Sequence, residues 1–188
     1  MKLSRNRKRN RLKNYDYSND GHYFVTICTK NRENFFGKIK DQKMFLNEIG
    51  KIAKICWLEI PKHFPNVILD EFVIMPNHIH GIIIIDNPIN KNENTVGNKN
   101  FCSLQECSPQ ENIPWQTKLS NSLSSIIRGF KIGVTKWCRQ NEINVFWWQK
   151  SFHDHIIRNE KSLNNIREYI INNPLKWDLD ENNFSNNT

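Results

Sequence analysis

Apolar and polar positions change their period several times along this chain of 188 residues. Tyr23-Phe24-Val25-Thr26-Ile27-Cys28-Thr29 is aromatic and β-branched, the composition of a strand. From about Asp41 the period lengthens: Phe45, Ile49, Ile52, Cys56 and Ile60 recur at steps of three and four, which predicts a helix with one apolar face. Pro61 and Pro65 mark its exit. Val67 to Met75 and His78 to Ile85 read as two strands joined through Pro76-Asn77, a hairpin. A second helix is expected from Lys118 to about Gln140. Its Leu119, Leu123, Ile126, Ile127, Phe130, Val134, Trp137 and Cys138 fall within an arc of about 120° at helical spacing. Phe152 to Ile157 predicts a fourth strand. Ser162 to about Asn172 predicts a third helix, stopped by Pro174 because the residue before proline is pushed out of the α region.

The resulting order, β-α-β-β-α-β-α, predicts an α+β fold. Its first six elements match the ferredoxin-like, RRM-like arrangement (βαββαβ), an antiparallel sheet with two helices on one face. The last helix is an addition. Three stretches fall outside the periodic body: a polar arm at 1–20 ending in the turn signal Ser18-Asn19-Asp20-Gly21, an Asn-rich loop at 87–114 containing Pro88, Pro109 and Pro114, and a polar tail at 178–188. The domain proper is expected at 21–177.

Composition narrows the class. Apolar content of 38% with six Trp and eleven Phe excludes global disorder. The longest aliphatic run, Ile82 to Ile85, is far too short to span a membrane, and no apolar stretch follows the basic N-terminus. A soluble, cytoplasmic protein is expected. Five cysteines without a C-x-x-C read as reduced thiols rather than a zinc site. The net charge of +8 is uneven: Lys2, Arg5, Arg7, Lys8, Arg9, Arg11 and Lys13 precede any acidic residue, while the remainder is almost neutral. A basic arm on a neutral globule points to a polyanionic partner. Arg128 and Lys131, on the polar side of the second helix, and Arg158 are further candidates for phosphate contact.

The chemistry must come from few residues, since there is no G-x-S-x-G, no phosphate-cradling glycine loop and no cysteine beside a histidine. In Met75-Pro76-Asn77-His78-Ile79-His80-Gly81, strand alternation points both imidazoles to one face, where they can share a divalent metal. Gly81 removes bulk beside them. His153 and His155 repeat the spacing, and spacing alone does not say which pair binds. Continuity with the aliphatic strand favours His78 and His80, leaving phosphate contact or support of the metal ligands to the second pair. Of four tyrosines, Tyr15 and Tyr17 lie in the approach to the first strand, Tyr23 begins it, and Tyr169 sits on the last helix. Asn173, four residues on, shares its face and could complete a three-ligand site beside the phenol.

Arg11-Leu12-Lys13-Asn14-Tyr15-Asp16-Tyr17, Tyr23 to Thr29, Met75 to Gly81, Ser125-Ile126-Ile127-Arg128-Gly129-Phe130-Lys131, His155-Ile156-Ile157-Arg158-Asn159 and Tyr169-Ile170-Ile171-Asn172-Asn173-Pro174 together resemble the HUH single-tyrosine transposases, most closely their REP-associated branch. The resemblance covers roughly residues 9–177 apart from the 87–114 loop. It implies cleavage and rejoining of single-stranded DNA, with Mg2+ or Mn2+ as cofactor and hairpins of palindromic repeats as partner, in a bacterial, nucleoid-associated setting and as monomer or homodimer. Carried onto this chain, His78 and His80 hold the metal, Tyr169 is the nucleophile and Asn173 the third ligand. The insertion-sequence branch often has the longer Gln at that last position. A tyrosine, with an ordinary pKa of about 10, needs activation to attack phosphorus. Trp147 or Trp148 could stack a base, although core packing suits them better. Two other readings keep the same fold: an RRM-like nucleic-acid binder without catalysis, and a metal-dependent nuclease that activates water.

Overall fold

The computed structural model describes residues 12, 14–87, 121–180 and 182–183. The Arg5, Arg7, Lys8, Arg9 and Arg11 side chains and nearly all of the 87–114 loop lie outside them. Six strands and four α-helices are present among the described residues: β1 (Gly21–Cys28), β2 (Gly37–Lys40), β3 (Lys43–Leu46), α1 (Glu48–Leu58), α2 (Ile60–His63), β4 (Val67–Ile74), β5 (His78–Ile85), α3 (Leu123–Gln140), β6 (His153–Ile157) and α4 (Glu160–Ile171). A 3-10 helix, Pro174–Leu179, follows.

Four strands form one antiparallel sheet in the order β4-β5-β1-β6, the order that a ferredoxin-like βαββαβ connectivity requires. Pleating sorts its side chains. Tyr23, Val25 and Ile27 of β1 join Ile79, Ile83 and Ile85 of β5 on one face, buried under α1 and α3 through Ala53, Trp57, Ile126, Phe130 and Val134. Each fully buried aliphatic side chain here contributes roughly 1.5–3 kcal/mol, so this is the main core. The opposite face carries a smaller cluster, in which Ile82 and Ile157 meet Leu163 and Ile170 of α4. The added helix therefore covers the face that α1 and α3 leave open.

Two expectations are corrected. The first helix does not begin near Asp41. Asp41 and Gln42 both adopt left-handed φ (50° and 59°) and turn a β2–β3 hairpin. Phe45, assigned to the helix face, is 51% exposed on β3. The helix starts after Asn47, whose side chain accepts from the Gly50 amide and ends any upstream continuation. The hairpin escaped notice because its turn contains neither glycine nor asparagine. Secondly, Gly81 does not make room beside the histidines. It lies on the other face, where an added Cβ would stand 2.3 Å from the Trp57 ring, so its absence of side chain seats Trp57. The α3 helix runs as expected to Gln140; within the described residues it begins at Leu123, capped by Ser122, and Lys118 and Leu119 lie outside them.

Candidate active site

The alternation that buries Ile79 and Ile83 beneath the helices turns His78, His80 and Ile82 toward α4. β5 is an inner strand, flanked by β4 and β1, and its histidines are almost wholly enclosed, His78 at 0% and His80 at 3% exposure. Their rings are 4.4 Å apart between centroids.

Each ring is oriented by a neighbour. The Asn77 amide donates to the carbonyls of Arg32 (2.9 Å) and Asn182 (2.7 Å), which leaves its oxygen facing His78 Nδ1 at 2.8 Å. His78 therefore carries its proton on Nδ1, and Nε2 presents a lone pair. For His80, Thr26 Oγ1 lies 2.9 Å from Nδ1, the Tyr169 hydroxyl 3.2 Å from Nε2, and Phe24 stacks on the ring. Burial holds His78 well below its ordinary range, with the adjoining His80 and Arg32 acting in the same direction. Burial likewise pushes His80 down to about 4, against a smaller upward pull from Asp180. Both rings are neutral near pH 7, the state that ligates a metal.

Tyr169 reaches His80 because α4 is fixed at two levels. Leu163, Ile166 and Ile170 pack on the sheet, while Tyr169 borders that stripe at 43% exposure, its ring edge-on to Phe24 and His80. Arg167, two residues earlier, makes a bidentate pair with Asp70 at the irregular step of β4 (Nε to Oδ2 3.0 Å, Nη2 to Oδ2 2.7 Å, Nε to Oδ1 3.1 Å). The other tyrosines cluster on the opposite face. Tyr23, fully buried, donates to the Asn19 carbonyl and lies 3.2 Å from the Tyr15 hydroxyl, and burial raises its pKa far above the ordinary value. Of the four, Tyr169 is the one that meets the histidines.

Beyond α4 the chain doubles back. Asn173 is buried, with its side-chain oxygen unpartnered. The 3-10 helix sets the Trp177 ring over His78 (6.1 Å between centroids) and delivers Asp180, whose Oδ2 lies 3.8 Å from His78 Nε2. Among the described residues, His78, His80 and Asp180 offer ligand atoms all within 4.8 Å of one another. His78 Nε2 and Asp180 Oδ2 are buried without hydrogen-bond partners, which is an observation of this chain in favour of a cation there. Sequence reasoning passed over Asp180 within the stretch assigned to a polar tail. The available signal was Trp177, a large apolar side chain in polar surroundings, which is expected to dock.

The remaining candidates separate. His153 and His155 are exposed on the edge strand β6, yet stand on the same face, opposite Thr26 and Phe24 in register. Arg158, also exposed, lines a shallow cleft with His155, Asp154, Tyr17 and Leu12. Arg128 and Lys131 ride on α3, across the sheet from the histidines. Lys131 does not present a free cation: its ammonium donates to the carbonyls of Gln149 (2.8 Å) and Ser151 (3.1 Å), lies over the Trp148 ring, and burial pushes it down to about 8. Trp148 is partly buried against the core, its ring N–H donating to the Lys131 carbonyl, and Trp147 is half exposed. No described helix is long and apolar enough to cross a membrane.

No family model matches the chain. A Haemophilus influenzae protein named only as uncharacterized is 46% identical over 171 residues, covering 91% of this chain and 89% of that protein. A second Haemophilus influenzae protein, provisionally named a REP-associated tyrosine transposase, is 25% identical over 167 residues, 88% of this chain and 77% of its own length. Among solved structures, a REP-associated tyrosine transposase bound to a REP hairpin superposes with a TM-score of 0.56 over 89% of this chain and 73% of its own, at 20% identity, and so shares the fold. In sequence this chain is thus similar to a protein of that provisional name, and in fold to a solved REP-associated tyrosine transposase.

Proposed function

We propose that the chain is a transposase-type enzyme that cuts and rejoins single-stranded DNA through a covalent bond to Tyr169. The observation that carries this reading is the 3.2 Å contact between the Tyr169 hydroxyl and His80 Nε2, which sets a phenol beside two buried, neutral imidazoles. His78 and His80 would hold Mg2+ or Mn2+, with Asn173 the third ligand that the family resemblance implies. Such an ion, when bound, withdraws charge from the scissile phosphate and orients it.

The protein's own part is positional. Thr26 and Asn77 fix the imidazole planes. Packing and the Arg167–Asp70 pair hold the phenol where its oxygen can attack phosphorus. The phenol oxygen forms the new P–O bond, the bond to the 3′ oxygen breaks, and the proton given up by the phenol is balanced by one taken up at the released 3′-hydroxyl. One phosphodiester is exchanged for another, so rejoining is the reverse step and needs no nucleotide cofactor. The basic arm around Arg5, Arg7, Lys8, Arg9 and Arg11 supplies general attraction to the DNA, with Arg158 on the same side of the molecule as His155.

Incubation with Mn2+ and a panel of single-stranded hairpins, drawn from palindromes flanking the gene, should yield a denaturant-resistant adduct that mass spectrometry maps to Tyr169. Tyr169→Phe should abolish it while costing the fold no more than about 1 kcal/mol, the worth of one hydrogen bond. Robust cutting by the Phe variant would establish a water-activating nuclease instead. Binding to the hairpins without any cutting by the wild type would establish a non-catalytic binder.

A further inference from the structure

One atom of the histidine pair, His78 Nε2, is left without a hydrogen-bond partner, and a residue from beyond α4 faces it. The Asn77 amide is held by two carbonyls, so His78 Nδ1 is the donor to its oxygen, and Nε2 is the ring atom left to face the pocket. That atom faces Asp180 Oδ2 across 3.8 Å, with both side chains almost fully buried and both atoms without a hydrogen-bond partner. Two polar atoms enclosed side by side without a hydrogen bond are costly to bury. A cation removes that cost.

The carboxylate is aimed rather than incidental. Its other oxygen, Oδ1, accepts from the backbone amide of Asn182 (2.6 Å) and from the Asn182 side chain (2.8 Å). The Asn182 carbonyl in turn accepts from Asn77. Asp180, Asn182, Asn77 and His78 thus form a closed ring of contacts whose open point is the gap between Nε2 and Oδ2. Two donors each about 2.1 Å from one ion lie at most about 4.2 Å apart, so the 3.8 Å gap already fits. The 4.8 Å limit on the three ligand atoms needs roughly half an ångström of closure.

We propose that Asp180 is the anionic ligand of a divalent-ion site formed with His78 and His80, delivered by the segment after the tyrosine helix. This inference rests on the reading that the histidine pair holds an ion, and it adds the ligand that supplies negative charge. A mixed imidazole and carboxylate set of this kind suits Mn2+ and its first-row neighbours. The ion would then also tie the 3-10 segment and Trp177 to β5.

The test uses the full chain and Mn2+ alone, with affinity read by calorimetry or by loss of the free-Mn2+ resonance signal. In Asp180→Asn the new side-chain oxygen keeps the Asn182 contacts, while its amide can donate to His78 Nε2. The metal-free protein should therefore melt at the wild-type temperature or above, while Mn2+ affinity falls about 100-fold, at the upper end of what outer-shell changes cause. Asp180→Cys should give a thiolate-to-metal absorption band with Cd2+ that the wild type lacks. Wild-type Mn2+ affinity in Asp180→Asn, or no new band in Asp180→Cys, would overturn the proposal. If His78→Ala and His80→Ala still lose Mn2+ in that event, the histidine reading survives without Asp180. If they too bind Mn2+ normally, the histidine reading fails along with it.

Discussion

Two histidine pairs at the same spacing, on the same face of one sheet, have opposite surroundings. His78 and His80 lie on β5, an inner strand, roofed by α4 and Trp177 and nearly inaccessible. His153 and His155 lie on β6, an edge strand, and are exposed. Thr26 stands between the two rows, paired with His80 on one side and His153 on the other. What separates them is position in the sheet, since an inner strand has its flanks filled by neighbours and its faces covered by helices. Burial keeps the first pair neutral, its neighbours orient both rings, and His78 Nε2 is left without a hydrogen-bond partner, conditions that suit holding an ion. The second pair, on the rim of the same face, stays exposed to solvent.

The comparison can be broken most directly by exchanging the pairs' fates. His78→Ala or His80→Ala should reduce cleavage by about three orders of magnitude, since metal stabilisation of the phosphate is worth several kcal/mol. His153→Ala and His155→Ala should change it less than about tenfold, and should do so through DNA affinity, where a lost phosphate contact lowers the salt slope. Single-turnover cleavage and salt titrations of binding separate the two. Loss of Mn2+ binding in His153→Ala with none in His78→Ala would invert the assignment.

A second prediction concerns the roof. Asp70→Asn removes one arm of the tether that holds α4 above the buried pair and leaves β6 untouched. The pair is partly exposed, so stability should fall by no more than about 1 kcal/mol. Cleavage should fall further, about tenfold or more, because a small displacement of a reacting group is expensive. The charge-reversed double variant Asp70→Arg with Arg167→Asp should recover most of the rate. Equal losses in stability and rate, with no recovery, would make the pair merely structural.

The smallest effect is on pH. With metal removed by chelator, His80 titrates near its ordinary 6.5 when unfolded but only at about 4 when folded. The unfolded state therefore binds more protons between these values, and stability falls as pH drops from 6.5 toward 4. Above 6.5 the penalty is absent. Thermal melts across this range should show a slope that His80→Gln reduces and His153→Ala leaves alone. An unchanged slope in His80→Gln would mean that the ring is not held neutral by burial.

Much of this molecule was legible along the chain, because the relevant physics is local. Aromatic, β-branched and aliphatic runs marked β1, β4, β5 and β6, the helical stripe marked α3 and α4, and strand geometry alone placed His78 and His80 on one face. The β2–β3 hairpin was hidden by a turn of Asp41 and Gln42, which adopts left-handed backbone without the glycine or asparagine that usually marks it. Other features had no local signature. Which histidine pair is enclosed depends on strand order, and that order is set by pairings far apart in the chain, such as Thr26 with His80 and with His153. Lys131 looked like a cation for DNA until its ammonium was found on two backbone carbonyls 18 and 20 residues away. Asp180 looked like part of a polar tail, and it becomes a neighbour of His78 only when Trp177 docks and Asn77 bridges to Asn182. Period and capping are set by neighbours in the chain, whereas burial, and with it protonation and the availability of a lone pair, is set by whatever the rest of the chain lays on top.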